Sequence, residues 1–288
     1  MLRTIAVLSL AAAVSLPAHA LVDAAQAARL GQDLMPLGGE RAGNAAGTIP
    51  SWEGGLSTPP ANYQPGMHHP DPYAADQELY RVDKSNMGQY KALLTPGYQK
   101  LLEKSSDYYL RVLPTRRSAA SPQRIYDATR YNATNAGLIA GGNGIEGTAA
   151  GIPFPIPQSG QEVIWNHITR YRGGSVKRLV TQATPQPNGS YSLVYFQDEF
   201  TFPTSLTDYD PAKPSNILFY FKQRVTAPAR LAGNVLLVHE TLNQVKEPRL
   251  AWLYNAGQRR VRRAPQVSYD GPGTAADGLR TVGAVEHV

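Results

Sequence analysis

The second half of the sequence contains a series of short β-rich segments, and this series constrains the fold more than any other feature. Residues 175–183 and 190–197 flank Pro187-Asn188-Gly189, and Asn-Gly between two β-rich runs is the strongest short-range signal for a hairpin. Each following run comes after about a dozen residues or fewer, at 216–226, 234–241, 249–254 and 259–264. This spacing predicts an antiparallel meander in a mainly β, α+β protein.

The first half is richer in residues that interrupt regular structure. The chain has 26 glycines and 23 prolines, together 49 of 288 residues, which disfavours a compact helical bundle. Breakers concentrate at 35–72 and 135–157, where we expect long loops. Between them we predict only short elements, which are a helix at 22–34, two helices within 85–104 that divide at Thr95-Pro96, a strand at 107–113 and a helix at 162–171.

Residues 1–20 have the pattern of a secretory signal peptide. Arg3 gives the positive start, residues 5–16 form the apolar run, and Ala18-His19-Ala20 is a small-x-small cleavage site. We therefore expect a periplasmic protein without a transmembrane segment in its mature chain. Residues 21–160 would form a helical, loop-rich segment that packs on the sheet of residues 161–288, so that 21–288 make one domain.

The charge distribution is uneven and favours an anionic partner for the second half. The formal net charge is +6, and residues 161–288 carry 15 Lys and Arg against 10 Asp and Glu. The densest run is Arg259, Arg260, Val261, Arg262 and Arg263, in which a strand would place Arg260 and Arg262 on one face. We expect these four arginines to contact anionic lipid headgroups or an acidic protein patch. The alternative is an edge strand protected by charge. A secreted chain without stacking aromatics beside this run is not expected to bind nucleic acid.

Motifs that support catalysis or a cofactor are missing from the sequence. The chain has no cysteine, which excludes disulfides, thiolate metal sites and cysteine nucleophiles. Neither G-x-S-x-G nor a phosphate-binding glycine loop is present, and His68 and His69 precede Pro70 in a stretch typical of a surface loop. We interpret Asp198-Glu199 as a solvated strand end. The sequence therefore favours a non-enzymatic protein without catalytic residues, metal or cofactor.

Large apolar side chains in the predicted sheet and its cover favour a binding function. In the run at 216–226, Ile217, Phe219 and Phe221 fall on one face and Leu218 and Tyr220 on the other, so both faces begin apolar. Such a sheet could cover a ligand cavity as well as a core. The candidates for lining that cavity are Trp165, Phe219, Phe221 and Trp252.

Several passages resemble one known family along essentially the whole mature chain. They are GGERAGN at 38–44, GTIPSWEGG at 47–55, GIPFPIP at 151–157, WNH at 165–167, PARLAG at 228–233, RLAWLY at 249–254 and RRVRRAP at 259–265. These passages resemble the domain of unknown function 1329 family, which looks like a branch of the LolA/LolB-like lipoprotein-sorting superfamily. The resemblance implies a curved, incomplete antiparallel β-barrel, with helices and long Gly/Pro-rich loops covering one face over a hydrophobic cavity. It also implies further strands after residue 281, so we expect a C-terminally truncated chain.

The function expected from these features is a periplasmic, non-catalytic carrier or chaperone for a lipid or another amphipathic molecule. By analogy with the superfamily, its partner would be an inner-membrane exporter or an outer-membrane acceptor. Two alternatives stay open. One is an envelope hydrolase that uses His167 or His239 with a carboxylate, and the other is an envelope scaffold whose sheet is filled by its own side chains.

Overall fold

The computed structural model describes residues 22–139, 141–148, 150–210, 213–264, 271–273 and 275–281. The signal peptide predicted at residues 1–20 and the strands expected after residue 281 lie outside the described residues. The chain divides into two compact units. We call residues 1–32, 36–39 and 122–288 the sheet unit, and residues 33–35 and 40–121 the loop unit.

The regular structure among the described residues is mostly β, with a few short helices. In chain order the elements are α1 (Ala24–Ala28), β1 (Tyr80–Asp83), α2 (Pro96–Lys104), β2 (Tyr109–Val112), α3 (Gln123–Asn135), β3 (Gly137–Leu138), β4 (Ile145–Glu146), α4 (Gly160–Thr169), β5 (Ser175–Pro185), β6 (Tyr191–Thr201), β7 (Ile217–Ala227), β8 (Val235–Thr241), β9 (Leu250–Asn255) and β10 (Arg260–Arg263). The described residues also contain 3-10 helices at Met87–Leu93 and Pro203–Ser205. No helix in these ranges is long and apolar enough to cross a bilayer.

Strands β5 to β10 form one antiparallel sheet in the order β10-β9-β8-β7-β6-β5. Because every neighbour in the sheet is also a neighbour in sequence, the predicted meander is confirmed. The predicted hairpin is confirmed as well: Gly189 has φ of 84°, and the Asn188 side chain accepts the Ser190 amide at 3.0 Å. Within the described ranges β10 pairs only with β9 and β5 only with β6, so the sheet is open.

The two faces of this sheet differ sharply in burial. On β7, Phe219 and Val225 are buried, whereas the alternating residues Tyr220, Lys222 and Arg224 are exposed. Because paired residues on neighbouring strands point to the same face, the strand register assigns the residues of the other strands to one of these two faces. We call the face with Phe219 and Val225 the inner face and the face with Tyr220 and Arg224 the outer face.

The prediction that Leu218 shares a face of β7 with Tyr220 is wrong. The pairing of β7 with β8 shifts between Ile217 and Phe219, which is a β-bulge. The extra residue breaks the alternation, and Leu218 is buried in the same cluster as Phe219. Ile217 pairs with Thr241, two residues beyond His239 on β8, so the bulge places Ile217 on the face of Tyr220 and not on that of Phe219 as predicted.

Three apolar clusters, all formed by residues that the structure describes, stabilise the sheet unit. One inner-face cluster contains Val194, Phe196 and Val225, against which Ala275 packs. A second contains Phe202, Leu218 and Phe219, and a third contains Ala136, Ile145, Phe154 and Trp165. Ile168 of α4 and Leu242 contact both the second and the third cluster, so α4 covers one end of the inner face.

Capping residues explain where several helices begin. Thr95 caps α2, with Pro96 in its first turn, and Ser159 caps α4, so these two predicted helices are confirmed. The helix predicted at 22–34 is shorter and spans only α1, which ends before Gly31 at φ of 83°. The stretch at 135–157 is not only loop, because it contains the short β3–β4 hairpin.

The loop unit is organised by side chains that donate hydrogen bonds to backbone carbonyls. The Arg117 guanidinium donates to the carbonyl oxygens of Glu40, Arg41, Ala42 and Pro50. Trp52 Nε1 donates to the Ala119 carbonyl at 3.0 Å. Gly55, at φ of 73°, lies so close to Ala119 that a Cβ would overlap its carbonyl. A stretch rich in breakers thus gains order through backbone contacts instead of regular structure.

Candidate functional site

The structure brings together three of the four aromatic residues predicted to line a cavity. Phe219 and Phe221 lie on the inner face. Trp165 of α4 is buried in the adjoining cluster, where its Nε1 donates to the Gly142 carbonyl at 3.0 Å. Trp252 lies on the outer face, because its register partner Leu237 pairs with Lys222. A site on the inner face therefore excludes Trp252.

The inner face is filled at its two ends and partly open between them. At one end the rings of Phe200, Phe202 and Phe219 contact one another, with centroid distances of 5.8 to 6.0 Å. Phe221 stacks on Phe200 at 4.5 Å but keeps part of its surface accessible. Leu236 is also partly accessible, and Leu253 is 46% exposed. We call Phe200, Phe221, Leu236 and Leu253 the inner strip.

A buried carboxylate and an arginine border the inner strip. Arg178 Nε donates to Asp198 Oδ2 at 3.1 Å, and Gln223 Nε2 donates to Asp198 Oδ1 at 3.1 Å. The Arg178 guanidinium also lies 4.9 Å from the ring centroid of Phe200, and this side chain is 46% exposed. A partly exposed cation thus stands directly beside the aromatic end of the strip.

The interpretation of Asp198-Glu199 as a solvated strand end is wrong for Asp198. Its side chain is 1% exposed, because it points to the inner face. Glu199 points to the outer face, where it pairs with Lys222 at 2.6 Å, and hydrogen bonding from Lys222 and Gln197 holds its pKa below the usual range. Strand alternation separates the two carboxylates, so they do not form an acid/base pair.

A second buried carboxylate lies on the inner face, at the end of β8. Glu240 is paired with Arg249, and its Oε1 accepts from Gln244 Nε2 at 3.1 Å. The exposed fractions of the Glu240 and Arg249 side chains are 4% and 20%. Both inner-face acids are therefore held by an arginine and a glutamine.

The candidate arginines are divided between the two faces of β10. The register places Arg262 opposite Leu253 on the inner face and Arg263 opposite Trp252 on the outer face. Arg260 shares the inner face with Arg262, as predicted from alternation, while Arg259 lies in the preceding turn at φ of 51°. All of β10 is exposed. Arg262 is the member of this run that adjoins the inner strip.

The candidate histidines lie apart from one another. His239 is on the outer face between the rings of Tyr220 and Trp252, at centroid distances of 4.8 and 4.9 Å. His167 lies in the last turn of α4. Within the described ranges, no three His, Cys, Asp or Glu side chains are placed to hold one metal ion.

Among the described residues, each unit has a concavity. A cavity of about 20 Å³ lies beside Phe202, Leu218 and Leu242 and offers room for little more than one water molecule. The larger concavity, about 380 Å³, is in the loop unit and has a mixed polar lining that includes Arg81, Asp83, Lys84 and Asp107. The accessible apolar surface on the inner face is therefore an open strip.

Comparison with known proteins places the chain in a family. The signature of DUF1329, "Protein of unknown function", matches residues 81–287. The chain belongs to the DUF1329 family. It is 65% identical over 263 residues to the uncharacterized protein PA3922 of Pseudomonas aeruginosa, an alignment that covers 91% of this chain and 58% of the relative. This DUF1329 chain thus spans little more than half the length of that relative. No solved structure matches it.

Sequence reasoning missed part of the inner strip of this DUF1329 chain. Its members Phe200, Leu236 and Leu253 were not among the candidates, nor was the bordering Arg178, although alternation places each on a definite face of its strand. The missing information was the pairing register, which aligns Gln223, Leu236, Leu253 and Arg262 in one row. Deriving the pairing register of each hairpin from the position of its turn would have placed these four residues in the same row.

Proposed function

We propose that this chain is a periplasmic, non-catalytic carrier or chaperone that holds a lipid or another amphipathic molecule along the inner strip. The observation that carries the proposal is the accessible apolar surface of Phe221, Leu236 and Leu253, which lies between the buried clusters of the inner face. Large accessible apolar surface between filled clusters is typical of a ligand-binding groove.

The residues around the strip fit both parts of an amphipathic ligand. An acyl chain laid on the leucines and Phe221 would gain about 0.8 kcal/mol for each methylene that it buries. Arg178 lies at the Phe200 end and Arg262 at the Leu253 end, so an anionic headgroup would meet a guanidinium at either end. Among the described residues, Arg262 pairs with no carboxylate and donates to Gln258 at 3.0 Å.

The compartment, the fold family and the partner belong to the same proposal. The signal-peptide pattern at residues 1–20 supports a periplasmic protein. The open antiparallel sheet with α4 over one end is compatible with a branch of the LolA/LolB-like superfamily. An inner-membrane exporter or an outer-membrane acceptor would then load or unload the ligand.

A structural envelope scaffold is the second candidate function. It is favoured by the ring contacts among Phe200, Phe202, Phe219 and Phe221, which fill one end of the inner face with the protein's own side chains. An envelope hydrolase has weaker support. Among the described residues, His239 packs between two aromatic rings and makes no hydrogen bond to a carboxylate.

Ligand uptake by paired variants tests the proposal. Leu253→Asp places a charge on the inner strip at an exposed position, and Tyr254→Asp places the same charge on the outer face of the same strand. Uptake of a fluorescent fatty acid by delipidated protein should fall at least about tenfold in Leu253→Asp and stay unchanged in Tyr254→Asp. Phe221→Asp should abolish uptake.

Native mass spectrometry of protein purified from the periplasm gives an independent readout. The carrier proposal expects bound lipid on the parent protein and less on Leu253→Asp. If the parent protein carries no lipid and the delipidated form takes up no fatty acid, the scaffold is the better function.

A further inference from the structure

The outer face of the sheet forms a second surface that the proposed function does not use. Strand pairing aligns its side chains in rows, of which one runs Glu199, Lys222, Leu237, Trp252, Arg263 and the next runs Gln197, Arg224, Val235, Tyr254, Val261. Every residue of both rows is partly or fully exposed. The two rows therefore present a continuous accessible surface across β6 to β10.

The centre of this surface is apolar and aromatic. Leu237 and Val235 of β8 are partly exposed, Tyr254 is 36% exposed, and Val261 is 64% exposed. Tyr220, His239 and Trp252 continue the aromatic surface as a chain of edge-to-face ring contacts. Apolar side chains from three neighbouring strands thus reach the solvent side by side.

Cations border the apolar centre on both sides. Lys222 and Arg224 lie on β7, and Arg263 lies on β10. Lys222 pairs with Glu199, whereas Arg224 and Arg263 have no carboxylate partner among the described residues. The two rows hold three cations and one carboxylate, so the surface is complementary to a negative one.

We propose that the outer face docks this protein on an anionic lipid bilayer surface. Trp and Tyr side chains favour the interface between water and acyl chains, where an apolar ring and a polar edge are both satisfied. Cations close to an anionic bilayer each add attraction that decays within a Debye length. An acidic protein partner would pair with the cations, but it would give no reason for the accessible rings of Trp252 and Tyr254 beside them.

Vesicle co-sedimentation with charge-reversed variants tests the proposal. The full mature chain should bind vesicles of phosphatidylcholine with phosphatidylglycerol and release them at high salt, and it should bind pure phosphatidylcholine weakly. Arg224→Glu with Arg263→Glu should weaken binding about 25-fold or more, since each cation near the surface contributes about fivefold. Lys84→Glu with Lys91→Glu in the loop unit has the same charge change and should bind like the parent.

Tryptophan fluorescence tests whether the aromatic centre enters the interface. The chain has three tryptophans, and Trp252 is the one on the outer face. Anionic vesicles should shift the emission of the parent protein and of Trp52→Phe to shorter wavelength, and Trp252→Phe should lose this shift. Circular dichroism and thermal melting establish that each variant is folded.

Three results would overturn the docking proposal. They are equal binding by the two double variants, no binding to anionic vesicles, and a fluorescence shift that persists in Trp252→Phe. An acidic protein ligand would give the second result. Leu253→Asp, which lacks fatty acid uptake under the proposed function, should still dock on vesicles, so the two proposals can fail separately.

Discussion

The sheet unit and the loop unit use ionised side chains in opposite ways. In the sheet unit, Asp198 and Glu240 are buried among apolar clusters, and each is held by an arginine and a glutamine. In the loop unit, Glu78 pairs with Arg81 and Arg111, whose side chains are about half exposed. The buried hydrophobic side chains among the described loop-unit residues are only Val82 and Leu102. The stability of the sheet unit therefore depends on each buried ion pair, whereas the stability of the loop unit depends on many exposed contacts.

The largest effect is expected from Glu240→Ala in the sheet unit. It leaves the Arg249 side chain, 20% exposed, without its carboxylate at the edge of the inner face. We expect a loss of about 2 to 3 kcal/mol in the free energy of unfolding, less than for a fully buried pair. Urea denaturation measures it. Glu199→Ala, on the outer face of the same sheet, is the control and should change the midpoint little, and equal effects would contradict the comparison.

The second effect concerns the loop unit and its hub residue. Arg117→Ala removes the hydrogen bonds to the carbonyls of Glu40, Arg41, Ala42 and Pro50, and we expect a local loss of about 2 kcal/mol. Hydrogen exchange should accelerate at residues 40–56 and stay unchanged in the sheet. Its neighbour Arg116, a half-exposed side chain that pairs with the Asp76 carboxylate, is the matched control. Uniform acceleration in both variants would contradict a hub role.

The third effect concerns charges that oppose association at the edge strand. Arg260→Thr with Arg262→Thr removes exposed cations from β10, which pairs on one side only within the described ranges. We expect higher oligomers in size-exclusion chromatography. Lys84→Thr with Lys91→Thr removes the same charge from the loop unit and should leave the protein monodisperse. A soluble, unchanged edge variant would show that these arginines do not guard the edge.

The smallest effect is a pH dependence in the loop unit. Side-chain hydrogen bonds from Arg81 and Arg111 lower the pKa of Glu78 from its usual 4.5. Because the folded pKa is depressed, the pair stabilises the unit above about pH 4.5 and loses this contribution as the pH falls through the lower folded value. Melting temperatures between pH 7 and pH 3 should therefore fall less steeply in Glu78→Gln. A parallel decline in both proteins would exclude a contribution from this pair.

The sheet was predictable from sequence because its signals are local. Alternation and the Asn188-Gly189 turn place the strands without any knowledge of tertiary contacts. The helix α3 gave no such signal, since its N-cap is Pro122 and it has no side-chain capping bond. Buried Asn132 instead bonds the Ala150 and Ile152 carbonyls, a long-range contact that sequence spacing does not reveal.

The candidate site was predictable only in part, for reasons of register. Phe219 and Phe221 were assigned to one face correctly, because they are two positions apart on a regular part of β7. Trp252 was grouped with them although it lies on the opposite face, since side-chain size alone says nothing about face. The bulge at Leu218 and the burial of Asp198 depend on pairing across strands, which one sequence does not encode locally.

The close approach at Gly55 has a consequence for how the loop unit opens. Trp52 Nε1 bonds the Ala119 carbonyl, and the Leu56 amide bonds the Ser118 carbonyl at 2.8 Å, so two bonds flank the point where the bare backbones touch. Neither backbone segment can move away from the other without breaking both hydrogen bonds at once. Residues 52–56 and 117–119 should therefore behave as one cooperative opening unit, in which the amide of Leu56 exchanges only when the whole crossing separates.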